Sequence, residues 1–343
     1  MIQMDLKKKM KAYGVVGLSL ATIDREKSEV ICCGKKRKEA TELIKEDTLF
    51  NACSISKLVT AFLIIKLAHE KKVDLDKDLS DEFVQAGFIN TSHPVQHTMT
   101  LRQLLRHQAG VQDPEKSFSP LSTDGFPTME EVLTGRTSYM QENLLIQSKA
   151  NQFTYSDAGY CLIQYVLEKT TGQTFERLMD EHIFQPLNIK NSTYNWQEIL
   201  TVPELATYGH HKNGKVYLKE ETIYPFHAAS GLWSTSADLT KLMLEWNQTL
   251  QGESRLGISV HTLNELLQTT EEHPYAGLGL FLDRENEQLE ISSLGWGVGF
   301  QSMLIYYPSL EKGFVIMTNT DLGVHQTKGL IGDIYQSFKH NIG

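Results

Sequence analysis

The chain has 343 residues, 41% hydrophobic and 22% charged, enough apolar material for a large core, which excludes a disordered, collagenous or coiled-coil protein. Its 33 Lys and Arg against 42 Asp and Glu leave a formal net charge of −9; with no basic stripe interleaved with aromatics, the average field repels phosphate and no nucleic-acid partner is expected. At ~150 residues per domain, the length predicts about two domains.

The basic stretch 7–11 followed by apolar 15–23 has the outline of an export signal. Its apolar part, however, alternates small and branched residues and passes through Asp24-Arg25-Glu26-Lys27 into a second strand-like run, 28–33. A β-hairpin is therefore expected, and with it a cytoplasmic location. No run approaches the ~18 apolar residues of a membrane span, so none is expected. Residues 57–68 are apolar almost all round and predict an internal helix. Thr100 caps a helix over 101–107 that Gly110 closes, and a helix over 158–170 ends before Gly172. The helical period returns over 175–182 and over 237–246, the latter opened by Thr235 or Ser236. From about Tyr275 the pattern becomes that of strands, at 278–282, 289–293, 300–307 and 314–318, the last two joined as a hairpin through Pro308 and Gly313. A helix over 326–340 closes the chain. Strands at both ends with helices between them predict an α/β (α+β) fold: an antiparallel sheet flanked by helices (residues 1–74 and 222–343) and an inserted, mostly helical domain (75–221). The cleft between the two is expected to hold the site.

Cys32, Cys33, Cys53 and Cys161 lack metal-ligand spacing and two are adjacent, so they are expected to be reduced, buried thiols. Tandem His210-His211 and scattered His93, His97 and His107 have no companion of the His-Glu-x-x-His or Cys-x-x-Cys kind. No glycine-rich loop of the dinucleotide or phosphate-binding type follows a strand. Neither a metal nor an organic cofactor is expected.

The sharpest chemical signal is Ser54-Ile55-Ser56-Lys57 at the entrance to the buried helix. Residues three apart share a helical face, so the Ser54 hydroxyl and the Lys57 amine can meet. Serine is a weak nucleophile and needs a neighbour to take its proton, a task Lys57 can serve if burial disfavours its charged form. At the helix start the Ser54 backbone N–H also lies among unpaired donors that can hold an oxyanion. The plain alternative is a helix-capping serine and a surface lysine. Further along stand Phe50-Asn51-Ala52-Cys53, Leu101-Arg102-Gln103-Leu104-Leu105-Arg106-His107-Gln108-Ala109-Gly110-Val111, Phe153-Thr154-Tyr155-Ser156-Asp157-Ala158-Gly159-Tyr160, and Ala229-Ser230-Gly231-Leu232-Trp233-Ser234-Thr235-Ser236-Ala237-Asp238-Leu239.

With Ser-x-x-Lys, these segments, in this order over nearly the whole chain, resemble the serine β-lactamase and penicillin-binding-protein superfamily, in its class C β-lactamase, D-aminopeptidase and carboxylesterase branch. The resemblance implies that Tyr155, near the lysine, shuttles the proton and activates water in deacylation. Asp157 stands where the family has Asn; it favours protonated Lys57, and either caps the following helix or contacts substrate. The family's Lys-x-Gly or His-x-Gly motif falls on Ser293-Leu294-Gly295, without its cation; an alternative register on Trp296-Gly297 needs a deletion. In the ungapped register the Trp296 backbone N–H is the second oxyanion donor, while residues 295–299 can equally be a bulged strand edge. Loss of the cation weakens recognition of a carboxylate and with it penicillinase activity. The expected function is thus a cofactor-independent serine hydrolase of esterase or D-peptidase type, with Ser54, Lys57 and Tyr155 catalytic, Asp157, Ser293, Gly295 and Trp296 at the substrate, and a small ester, amide, peptide or β-lactam as partner. The alternatives are a weak β-lactamase or DD-peptidase, and a non-catalytic homologue that captures a peptide or lactam. Cys53 is expected to be core packing.

Overall fold

A computed structural model of the chain describes residues 4–89, 98–120, 125–147, 151–202, 204–285 and 288–342. The two ends of the chain meet in one antiparallel sheet of six strands, in the order Lys27–Gly34, Gly17–Asp24, Lys312–Thr318, Phe300–Tyr307, Gln288–Gly297 and Phe281–Glu285. Leu18 lies opposite Thr318 and Ile23 opposite Gly313, so the first hairpin joins the last one directly.

Side chains alternate across this sheet as the pleat requires. Leu18, Leu20, Met303, Ile305, Phe314 and Ile316 point to one face, where Leu6 and Met10 of the helix Leu6–Tyr13 and Leu330, Ile334 and Phe338 of the helix Gly329–Ile342 cover them. The intervening Leu304, Tyr306, Val315 and Met317 belong to the larger core on the other face, against which the helix Ser236–Leu250 packs. Both faces are thus sealed, and every residue of Phe300–Tyr307 is buried.

The helix Ile55–His69 runs through the larger core, buried from Ile55 to Ile65 without a break. That agrees with its all-round apolar sequence, and truncating Leu63 or Ile64 to Ala would cost about 2–5 kcal/mol each. The helix Asp157–Thr171 ends on Gly172 in the left-handed conformation, as the sequence predicts.

One element was not foreseen and three local expectations are corrected. The basic stretch at the start is the helix Leu6–Tyr13, capped by Asp5 and Gly14 and seated on the sheet by Leu6 and Met10. The strand expected at 278–282 starts only at Phe281, because Gly277 and Gly279 form a loop pressed on the buried helix: a Cβ on Gly279 would stand 2.7 Å from the Lys57 carbonyl oxygen. The helix after Thr100 stops at Leu105, and His107 turns into the left-handed region at φ 59°. Cys32 and Cys33 are only half-buried, since Lys27–Gly34 is an edge strand with one neighbour; Cys53 and Cys161 are buried, and all four are free thiols. No helix among the described residues is long and apolar enough to cross a membrane.

Candidate active site

Ser54 is placed by a turn under strain. Cys53, before it, has φ 50°, a conformation costing about 1–3 kcal/mol for a residue with a side chain. The surroundings hold it there. The Cys53 N–H donates to Asn51 Oδ1 at 2.7 Å, and Asn51 Nδ2 donates to the Thr222 carbonyl at 2.7 Å. The Ser56 hydroxyl donates to the Cys53 carbonyl at 2.6 Å and accepts from the Leu232 N–H at 3.1 Å. Ser54 sits at the helix start with helical φ and ψ, and its side chain makes no capping bond. The capping alternative is thereby set aside, and the hydroxyl is left available.

Lys57, one turn on, is 3% exposed, which removes the surface-lysine alternative. Its Nζ donates to Ser54 Oγ at 3.2 Å, to Asp157 Oδ1 at 2.6 Å and to the Ala229 carbonyl at 2.9 Å. Three acceptors match the three hydrogens of an ammonium. Burial pulls the lysine toward its neutral form, but the Asp157 carboxylate, joined by Tyr155, outweighs it and holds Lys57 above its ordinary value. Of the two influences the sequence offered on Lys57, burial and the charge of Asp157, the partner charge wins.

Tyr155 comes from the helical middle of the chain, 41% exposed, its ring centroid 5.0 Å from Lys57 Nζ. It stacks on the His107 ring at 4.3 Å. His107 is buried, and its Nδ1 accepts the Ser156 N–H at 3.1 Å. Burial, with the Lys57 charge adding to it, pushes the imidazole well below its ordinary range, so the ring is neutral and can accept.

Asp157 is not the helix cap. Ser156 takes that place, its Oγ accepting the Gly159 N–H at 3.0 Å, which frees the Asp157 carboxylate for Lys57. A residue that the sequence reading missed completes this end: Asp113 accepts from Ser156 Oγ at 2.7 Å and from the N–H groups of Asp157 and Ala158 at 2.9 Å each. Burial, then the Asp157 charge, raises its pKa. The available signal was a carboxylate two residues beyond the stretch 101–111, able to meet a helix N-terminus.

Ser293, Ser54, Lys57 and Tyr155 line one cleft, with Phe153 and Phe281 at its wall. The strand Gln288–Gly297 passes close over the nucleophile turn. A Cβ on Gly295 would lie 2.2 Å from the Ala52 carbonyl oxygen, and one on Gly297 2.8 Å from Cys53 Sγ. The register from Ile291–Tyr306 to Gly297–Phe300 is unbroken, so residues up to 297 form a regular strand and not a bulge. Between the two glycines, the Trp296 main chain lies beside the segment leading to Ser54. Its indole points elsewhere, 45% exposed, donating to Asp321 at 2.9 Å. Arg106, also missed, borders the cleft and donates through Nε to the Gln268 carbonyl at 2.8 Å; burial, with Arg102 nearby, lowers it to about 10. Burial pushes the Cys53 thiol up, away from the reactive thiolate. Among the described residues no group of three or more His, Cys, Asp or Glu could hold a metal ion; His93 and His97 lie outside the described residues.

A family model described as Beta-lactamase matches residues 3–331. Beta-lactamase-like protein 4 of Dictyostelium discoideum is 26% identical over 239 residues, covering 64% of this chain and 40% of that protein. The teichoic acid D-alanine hydrolase of Staphylococcus aureus (strain MRSA252) is 21% identical over 202 residues, 59% of this chain and 47% of that one. The chain thus spans less than half the length of these curated relatives. The D-amino acid amidase of Ochrobactrum anthropi SV3, in a crystal structure with L-phenylalanine, superposes with a TM-score of 0.77 at 22% identity, over 99% of this chain and 100% of that one. It shares the fold.

Proposed function

Because the chain belongs to the beta-lactamase family, we propose that it is a serine hydrolase working by two-step acyl transfer on a D-aminoacyl ester or amide. The observation that carries this reading is an uncapped Ser54 hydroxyl 3.2 Å from a buried lysine.

Lys57 enters as an ammonium with its three hydrogens committed. Since it donates to Ser54, the serine proton leaves toward another group, and Tyr155 is the one at hand. Its ring centroid stands 5.0 Å from Lys57 Nζ and its side chain lines the same cleft as Ser54. Ser54 Oγ bonds to the carbonyl carbon while Tyr155, acting as a phenolate, takes the serine proton; the bond to the alkoxide or amine breaks as the phenol hands that proton to it, which restores the phenolate. Water then attacks the acyl-enzyme and gives one proton to the phenolate, the acyl–Ser54 bond breaks, and the phenol returns the proton to Ser54 Oγ. The N–H groups of Ser54 and Trp296 hold the oxyanion, a role supported by the packing of Gly295 and Gly297 on Ala52 and Cys53.

The names of the relatives, a D-alanine hydrolase and a D-amino acid amidase, support the acyl group. Ser293 in place of a cation supports a substrate without a carboxylate near that strand. Arg106 at the cleft favours a second reading, a DD-peptidase or weak β-lactamase that recognises a carboxylate through this cation.

Incubation with a p-nitrophenyl ester, D- and L-phenylalanine amide, and nitrocefin separates these. Turnover of the ester and the D-amide, with a transient mass increment mapped to Ser54, is the expected result. Turnover of nitrocefin alone would replace the substrate assignment with the second reading. A lasting adduct without turnover would make the chain a binding homologue.

A further inference from the structure

A second cleft opens where the helix Asp157–Thr171 ends, with a volume of about 520 Å³. None of its lining residues borders the Ser54 cleft. Its wall is aromatic: Phe126 and Trp196 stack with centroids 4.6 Å apart and planes within 7°. Two carboxylates, Glu168 and Glu176, line it, and among the described residues no lysine or arginine does.

His227 closes the inner end. It is 4% exposed, its ring 5.5 Å from that of Phe126 and 5.4 Å from that of Tyr194. Its Nδ1 stands 2.9 Å from Glu176 Oε1, but neither ring nitrogen makes a hydrogen bond among the described residues. Burial would push the Glu176 carboxyl up, but His227 beside it holds it down to about 2, so it is an anion and can only accept. Glu168 already accepts from Gln164 Nε2 at 3.0 Å and from the Phe175 N–H at 3.2 Å. The cleft thus presents two carboxylates and aromatic faces, with the unpartnered imidazole of His227 at its inner end.

We infer that this cleft is a binding site for an organic ammonium ion: a cationic nitrogen that donates to Glu176, on an apolar body laid against Phe126 and Trp196. An ammonium is the one common group that meets carboxylates as a donor and the aromatic wall as a cation. An anion would meet two carboxylates, and a purely apolar ligand would leave the acceptors unanswered. A volume of this size suits a small molecule with one ring.

Isothermal titration with 2-phenylethylammonium tests it, with 2-phenylethanol as the neutral isostere. The protein is used twice, untreated and after Ser54 has been blocked with a fluorophosphonate. One equivalent of the ammonium is expected to bind equally in both preparations, and at least tenfold more tightly than the alcohol. Glu176→Gln should weaken it at least tenfold, and Trp196→Leu, a change at the half-buried aromatic wall, should weaken it as well. Loss of binding on blocking Ser54 would place the probe in the other cleft and overturn the inference. So would equal affinity for the alcohol, or unchanged affinity in a folded Glu176→Gln or Trp196→Leu protein.

Discussion

Two serines stand at the starts of two long helices, and only one is free to react. Ser156 is in extended conformation (φ −145°, ψ 124°) and spends its oxygen on the Gly159 N–H and on Asp113. Ser54, at the start of Ile55–His69, is already helical (φ −66°, ψ −6°) and caps nothing. The difference lies in the residue before each. Cys53 at φ 50° turns the chain so sharply that Ser54 enters the helix directly, its hydroxyl aimed at Lys57 and not at the backbone. A nucleophile is here a cap that the backbone has prevented from capping. The strain that does this is held by Asn51 and Ser56, which play no part in the chemistry.

Substitution at each serine breaks the comparison most directly. Ser54→Ala is expected to lower kcat by at least about 10³-fold and to abolish the acyl adduct seen by mass, with little change in stability. Ser156→Ala should instead lower stability by about 1 kcal/mol in a denaturant titration, with the adduct still forming. If Ser54→Ala keeps its rate, the assignment of the nucleophile fails.

The Lys57–Asp157 pair comes next. Lys57→Met should stop turnover and destabilise the protein by up to about 3 kcal/mol, because it leaves the half-buried Asp157 carboxylate without its partner. Lys57→Met combined with Asp157→Leu should recover much of that stability and none of the activity, as read by denaturation and ester hydrolysis side by side. The pair's pH dependence has a definite sign. Lys57 is raised above its ordinary 10.5, so its contribution is complete below that pH and is lost only as pH climbs through the higher folded value. Neutral pH leaves the pair intact, and stability measured between pH 6.5 and 9 should show no loss from it.

His107 has the opposite sign. Its pKa lies well below 6.5 in the fold, so its contribution is present above that pH and is lost as pH falls toward the folded value. Unfolding free energy should drop by up to about 1.4 kcal/mol per pH unit in that range, and His107→Asn should remove that part of the slope. A His107→Asn protein with an unchanged acid limb would show that the buried imidazole is not responsible.

Much of the fold was legible because periodicity reports burial. The strand 300–307 was read to the residue, and the helix 57–68 to within two residues at its start and one at its end, since an element sealed on all sides has no polar face to blur its limits. The helix Leu6–Tyr13 was missed because four of its eight residues are lysine, and just two, Leu6 and Met10, seat it on the sheet. Within the site, Ser54 and Lys57 were readable because one helical turn joins them. Tyr155 and Asp157 came from resemblance alone: no spacing rule links residue 57 to residue 157.

By itself the amino-acid sequence determined which segments would be buried and that a hydroxyl and an amine would share a helical face, because those are short-range consequences of side-chain pattern. Tertiary structure decided which of two opposing influences prevails at Lys57. Burial and a facing carboxylate act in opposite directions on the same nitrogen, and which prevails depends on a 2.6 Å contact between residues one hundred positions apart. The same holds for Asp113, His107 and Arg106, whose places at the cleft follow from packing of separate segments and leave no periodic trace in the chain.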